Sequence, residues 1–166
     1  MGQHKILELF FEEPNREFQI REIARLTEIP KTTVSRMLNR FMKDGLILKG
    51  KKLSFCANES DRHFRLLKQL RFVEKIHNSG LVEYLEGFHP RCIVLFGSFS
   101  KGEYHKESDI DVFVQARDVK YDLSKYEKKL RHTINLLFEE DLSKLSPELF
   151  NNIINGIKLA GYIKVR

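Results

Sequence analysis

Apolar residues open the chain in a helical stripe: Ile6, Leu7, Phe10 and Phe11 recur at the spacing of one helix face, and the stripe stops before Pro14. "FQIREIARLTEI" carries a second, shorter stripe through Ile20, Ile23 and Leu26. "PKTTVSRMLNRFMKDG" carries a third through Val34, Leu38 and Phe41, with Gly45 as its stop signal. The period then changes. In "LILKGKKLSF" the apolar residues Leu46, Leu48, Leu53 and Phe55 alternate in two short runs around Gly50-Lys51, which predicts a hairpin with Lys49, Lys51 and Lys52 at its tip. Helical spacing returns in "NESDRHFRLLKQLRFVEKIHNSG", with Asp61 as N-cap, Phe64, Leu67, Leu70 and Val73 as the apolar series, and Gly80 as the break.

Past Gly80 the pattern mixes strands with helices. "LVEYLEGF" opens this part, "CIVLFGS" is a short apolar strand running into Gly-Ser, and "DIDVFVQ" is a second strand with Ile110, Val112 and Val114 toward a core. The loop between them is basic and is expected to be exposed. "DLSKYEKKLRH" predicts an amphipathic helix through Leu123, Tyr126 and Leu130, "TINLLFEE" a third strand, "SPELFNNIINGI" a helix started by Ser146 and Pro147, and "GYIKV" a last strand. The fold class is therefore α+β, with a helical module and hairpin over 1–58, a connecting helix over 59–79, and a small mixed sheet with helices over 80–166.

Composition narrows this only modestly. A chain of 166 residues, 42% hydrophobic and 31% charged, is that of a soluble globular protein with one or two cores. The net charge of +6 favours an acidic partner such as nucleic acid or nucleotide phosphate, although a lysine excess also serves solubility. Two cysteines, Cys56 and Cys92, each in an apolar run, predict neither a disulfide framework nor a thiolate cluster and point to a reducing cytoplasm. No apolar run approaches the roughly 20 residues that span a membrane, and "MGQHKILELF" lacks a signal-peptide core, so no membrane association is expected. The six histidines show no ligand spacing and read as surface or rim residues.

Two features carry chemistry. Asp109 and Asp111 project from one side of a strand, and like charges held that close need solvent, a basic partner or a cation such as Mg2+ with its preference for hard oxygen ligands. Aspartate is depleted in strands, so a pair of them a fixed distance after Gly97-Ser98 is rarer than either piece. In the third strand Ile134, Leu136 and Phe138 are expected in the core, leaving Thr133, Asn135, Leu137 and Glu139 on the aspartate face. The second feature is the third helix, whose polar side offers Lys31, Thr32, Thr33, Ser35, Arg36, Asn39 and Arg40. Lysines and hydroxyls suit phosphates, and Arg36 and Asn39 have the reach to read base edges. A solvated helix face used for dimerisation or partner docking is the plainer alternative.

The order helix, helix, helix, basic hairpin resembles the winged helix-turn-helix family. That resemblance implies duplex DNA as partner, the third helix in the major groove, and a wing with Lys49, Lys51 and Lys52 on the backbone. Gly97-Ser98, ten residues, then Asp109-Ile110-Asp111 resembles the polymerase-beta-like nucleotidyltransferase superfamily, closest to its minimal, prokaryotic branch, over roughly residues 80 to 166. The resemblance implies that Gly97, Ser98 and Lys101 hold the phosphates of ATP or another nucleoside triphosphate, and that Asp109 and Asp111 hold Mg2+. A third acid normally comes from the neighbouring strand, where Asn135 stands here. The minimal branch also resembles antitoxins that adenylylate a partner toxin of the HEPN class, and winged-helix proteins often pair on two-fold sites, which leaves a homodimer open. The implied function is Mg-dependent nucleotidyl transfer joined to DNA binding. The alternatives are a non-catalytic, nucleotide-sensing transcriptional regulator and a transferase acting on small molecules.

Overall fold

The structure, a computed structural model, describes residues 2–163. The chain divides into two compact units, Met1–Lys68 and Gln69–Arg166.

In the first unit, α1 (Gly2–Glu12) buries Ile6, Leu7, Phe10 and Phe11, as their spacing requires. A two-residue strand β1 (Phe18–Gln19), which has too few residues to show a period, leads into α2 (Ile20–Thr27). Here the expected inward set changes: Ile23 and Thr27 are buried, whereas Leu26 is 45% exposed. The Thr27 hydroxyl donates to Ile23 O at 2.7 Å, which satisfies a polar group that faces the core. Glu28 turns the chain in a left-handed conformation at φ 60°, and α3 (Lys31–Lys43) then buries Val34, Leu38 and Phe41.

After Gly45 (φ 74°), Leu46 N–H still bonds back to Phe41 O, so the pleat begins one residue later than the alternation suggested. Strand β2 (Ile47–Lys49) consequently buries Ile47 and exposes Leu48, while β3 (Ser54–Ala57) buries Phe55 and Ala57. The sheet order is β1-β3-β2, all antiparallel. The hairpin turn centres on Lys52-Leu53, both at positive φ, rather than on Gly50-Lys51.

Helix α4 (Arg62–Ser79) runs across the boundary between the units, with Asp61 Oδ1 accepting from Phe64 N–H at 2.8 Å as the N-cap. Its buried stripe is Phe64, Lys68, Phe72 and Ile76, at a constant spacing of four, with Ser79 buried at its end. Leu70, expected inward, is 56% exposed.

In the second unit, α5 (Leu81–Glu86) precedes β4 (Cys92–Phe96), α6 (Gly97–Lys101), β5 (Ile110–Val114), α7 (Ser124–Leu130), β6 (Ile134–Phe138), a 3₁₀ turn at Leu142–Lys144, α8 (Pro147–Ile154) and β7 (Ile157–Gly161). The sheet is mixed, in the order β6-β5-β4-β7, with β4 antiparallel to both neighbours and β5 parallel to β6. A parallel pair needs a crossover, and α7 supplies it. The last strand lies earlier than "GYIKV", whose end falls outside the described residues.

One face of the sheet buries Ile93, Leu95, Ile110, Val112 and Val114. The aspartate face is not simply polar. Phe113, two residues after Asp111 and of the same parity, is 0% exposed in a cluster with Cys92, Val94 and Ile153. Leu149 of α8 and Leu137 of β6 pack against that cluster, so α8 covers one end of this face and Leu137 is half-buried at the edge of the core. The loop between β4 and β5 is also less exposed than its charge suggested. Its first five residues form α6, and Phe99 and Tyr104 are buried, their rings stacked 4.1 Å apart at 9°.

Candidate nucleotide site and nucleic-acid interface

Asp109 precedes β5 and is exposed, while Asp111, the second residue of the strand, is half-buried. Asp111 stands opposite Phe96 on β4 and opposite Asn135 on β6. The parallel ladder is anchored at this end by Ile110 N–H donating to Thr133 O at 2.8 Å, so the register that pairs Asp111 with Asn135 leaves no slack. Asn135 Nδ2 donates to Asp111 Oδ1 at 3.3 Å. Glu139 lies four positions further along, about 13 Å at about 3.3 Å per residue. Its Oε1 accepts from Asp141 N–H at 2.9 Å and lies 3.7 Å from Lys144 Nζ, so it serves the turn after β6.

Gly97 ends β4 and begins α6 at φ 70°. A Cβ built there would overlap Asp111 Oδ2 and come within 3.3 Å of its Cγ. The Gly-Ser turn and the second aspartate are therefore in direct apposition, a relation that sequence spacing cannot reveal. The turn is held by its own bonds: the Ser100 hydroxyl donates to Gly97 O at 2.8 Å and Glu103 N–H to Ser98 O at 2.9 Å. Ser98 is half-buried and Lys101 is exposed at the end of α6. Gln69 Nε2 donates to Ser100 O at 2.6 Å, a support that the sequence did not advertise.

His132 departs from the surface or rim position expected of it. It is 6% exposed, lies edge-on to Phe99 at 5.0 Å, and its Nδ1 sits 2.9 Å from Ser108 O. The carbonyl just before Asp109 is thereby tied to the segment that enters β6. Its place directly ahead of the third apolar run is the one sequence signal of this role.

A metal ion at this end would find Asp109 and Asp111 as hard oxygen donors. Among the described residues no group of three His, Cys, Asp or Glu side chains could hold one. That donor set still fits Mg2+, which commonly takes one or two carboxylates and completes its shell with phosphate oxygens and water.

On the first unit, Lys31, Thr32, Arg36, Asn39 and Arg40 of α3 are exposed, and Thr33 and Ser35 are half-buried. Thr32, Ser35, Arg36, Asn39, Arg40, Lys43 and Asp44 line one surface groove. Lys43, seven residues after Arg36 and hence on the same helix face, extends the cationic side beyond the residues first identified. Arg40 Nε lies 3.8 Å from Asp44 Oδ2, an exposed pair of little energetic weight. Lys49, Lys51 and Lys52 are exposed on the hairpin.

Fold and site together define a protein of two modules, a helix-turn-helix unit followed by a nucleotidyltransferase-like unit. Residues 79–161 match the family model described as Polymerase beta, Nucleotidyltransferase, and the chain belongs to that family. Residues 5–49 match the family model described as IclR helix-turn-helix domain, so the first unit carries a helix-turn-helix domain. Comparison with curated proteins and with solved structures finds no match. Among the described residues, no helix is long and apolar enough to cross a membrane.

Proposed function

We propose that the second unit binds a Mg-nucleoside triphosphate, ATP in the favoured case, and transfers its nucleotidyl group slowly, while the first unit holds the protein on duplex DNA. The observation that carries the nucleotide reading is the apposition of Gly97 and Asp111. A backbone bare of Cβ lets phosphate oxygens approach, and the carboxylate beside it can share a cation with those same oxygens. Ser98 adds a hydroxyl and an N–H, and Lys101 adds charge.

In the transfer, an acceptor hydroxyl oxygen forms a bond to the α-phosphorus, the bond to the pyrophosphate oxygen breaks, and the hydroxyl proton leaves. Bound Mg2+ would supply charge stabilisation to the attacking and leaving oxygens. Asn135 can orient Asp111 through its amide N–H but cannot take the proton, so the proton goes to solvent and the rate falls. A protein hydroxyl, on a partner of the HEPN class, is the favoured acceptor by family resemblance. The second reading, a nucleotide-sensing regulator, is favoured by the same Asn135.

The test is incubation with labelled ATP and Mg2+, alone and with the product of the neighbouring gene, alongside calorimetry of nucleotide binding. Label on either protein supports transfer. Asp109→Asn with Asp111→Asn is expected to abolish Mg-dependent nucleotide binding while the unfolding midpoint holds. Unchanged affinity in that double variant removes the site assignment.

For the DNA module, about three neutralised phosphates give a slope of about −2.7 in log affinity against log salt concentration, at about 0.9 per contact. Arg36→Ala with Lys51→Ala and Lys52→Ala is expected to weaken binding and flatten that slope. A slope and an affinity that both stay put would mean that the cationic surface contacts something other than DNA.

A further inference from the structure

The hairpin between β2 and β3 is built against its own sequence. Ser54 N–H donates to Lys51 O at 3.1 Å across a turn whose two central residues, Lys52 and Leu53, have φ of 51° and 59°. Two consecutive positive φ values are the signature of a type I′ turn, which Asn-Gly fills at little cost and which side chains of lysine and leucine oppose. Leu53 gains nothing in exchange from packing, being 74% exposed.

The turn is nevertheless braced from below. Gly50 N–H donates to Ser54 O at 2.8 Å, and the Ser54 hydroxyl lies within donating reach of both Lys51 O and the carboxylate of Glu17. A Cβ on Gly50 would stand 2.6 Å from Ser54 Oγ and 2.8 Å from Glu17 Cδ, so even the glycine is set by this brace. Strain that the surroundings hold in place, at a residue with no structural use for its side chain, marks a contact made with something else. The neighbours say what. Lys51 and Lys52 are exposed beside Leu53, with Lys49 on the strand behind, and the unit carries a helix-turn-helix domain, the basis of the DNA-binding reading proposed above.

We propose that Leu53 is a wedge: the tip of the hairpin enters the minor groove of duplex DNA, and the leucine side chain slips partly between two base pairs while Lys51 and Lys52 contact the phosphates on either side. An apolar side chain inserted at a base step unstacks it and kinks the duplex away from the minor groove. Steps that open easily, TA and CA/TG, are the preferred place, so the hairpin adds a shape preference to whatever α3 reads in the major groove. The braced turn pre-orders the tip, and the entropy of ordering it is not lost on binding. This inference rests on the DNA-binding reading of the first unit.

The experiment uses the full chain and short duplexes with 2-aminopurine at a central TA step, at low salt. Wild-type protein is expected to raise the fluorescence on saturation, the sign of an unstacked step. Leu53→Gly removes the wedge and relieves the positive φ, so it should raise the thermal midpoint, weaken binding by about tenfold, as burial of one leucine side chain would allow, and give no fluorescence rise. Leu53→Met keeps an apolar tip of similar volume and should keep the signal. Lys52→Ala should lower the salt slope by about 1 and leave the fluorescence rise in place.

Saturating binding with no rise in fluorescence, or an undiminished rise with Leu53→Gly, overturns the wedge and leaves DNA binding standing. Failure of wild type to bind any duplex removes the DNA reading and the wedge with it. Sedimentation showing self-association that Leu53→Gly abolishes would place the leucine at a contact between copies, and that too overturns the wedge.

Discussion

Replacing Asn135 by aspartate is expected to raise the rate of nucleotidyl transfer by about 10²–10⁴, the usual value of a positioned base. The site is prepared for it by register. Asn135 is the β6 partner of Asp111 and donates to its Oδ1, so a carboxylate of nearly the same size would stand beside the existing pair. The change has a cost without metal: a donor to Asp111 is lost and a third negative charge takes its place. The variant should therefore melt below wild type in the absence of divalent cation and recover when Mg2+ is added. Single-turnover transfer from labelled ATP, with and without the partner protein, reads the rate. Asn135→Ala should leave the slow wild-type rate nearly unchanged, since neither residue takes a proton. Glu139→Gln should be silent as well, because Glu139 is engaged with Asp141 N–H and Lys144. A wild-type enzyme that turns over rapidly and loses its activity with Glu139→Gln would contradict the β5–β6 register as the basis of the chemistry. No transfer from wild type or from Asn135→Asp with any partner would leave the nucleotide-sensing regulator as the function.

Gly97→Ala is expected to lower nucleotide affinity by about 10²-fold or more, equivalent to about 2.7 kcal/mol, and to destabilise the second unit. Two effects add at this position. A residue other than glycine in the left-handed region costs about 1–2 kcal/mol, and the new methyl group would overlap Asp111 Oδ2. The turn cannot easily rotate away, because Ser100 and Glu103 are bonded to the carbonyls of Gly97 and Ser98. The carboxylate must then move, and the cation site moves with it. Gly45→Ala separates the two effects. Gly45 has nearly the same φ, 74°, but nothing lies within 4 Å of an added Cβ. Alanine there should show the backbone strain alone, with nucleotide affinity intact by calorimetry. Equal nucleotide affinities for the Gly97 and Gly45 variants would show that the apposition of Gly97 and Asp111 has no part in binding.

Much of this architecture is written in local pattern. The stripe Ile6, Leu7, Phe10, Phe11 and the stripe Val34, Leu38, Phe41 are buried as their spacing demands, because a helix of ordinary length has one face to hide and period 3.6 names it. Ser146-Pro147 starts α8 because the cap and the fixed φ act within one turn of chain. Asp109 and Asp111 lie where a Gly-Ser followed by an Asp-x-Asp strand would put them, at the end of β5 nearest the β4–α6 turn.

Where pattern failed, a partner from elsewhere in the chain had the casting vote. Leu26 and Leu70 have helical spacing but face outward, since Thr27 with its internal hydrogen bond and the line from Phe64 to Phe72 and Ile76 occupy the buried sides instead. Leu137, expected beside the aspartates on an open face, is half-buried against the cluster of Phe113 that α8 packs on, and His132 is buried because Phe99 and Ser108 close around it. The sequence by itself determined the order of the two modules and most of their elements, β1 and the place of the last strand excepted, because caps and periods are local properties of a chain. Tertiary structure alone decided which aspartate Gly97 touches and that Leu53 stands out on a strained turn, while the β5–β6 register pairs Asp111 with Asn135, the position the sequence had aligned there. Those are matters of register and close approach, settled by hydrogen bonds between strands distant in sequence and by the volume that neighbouring side chains leave free.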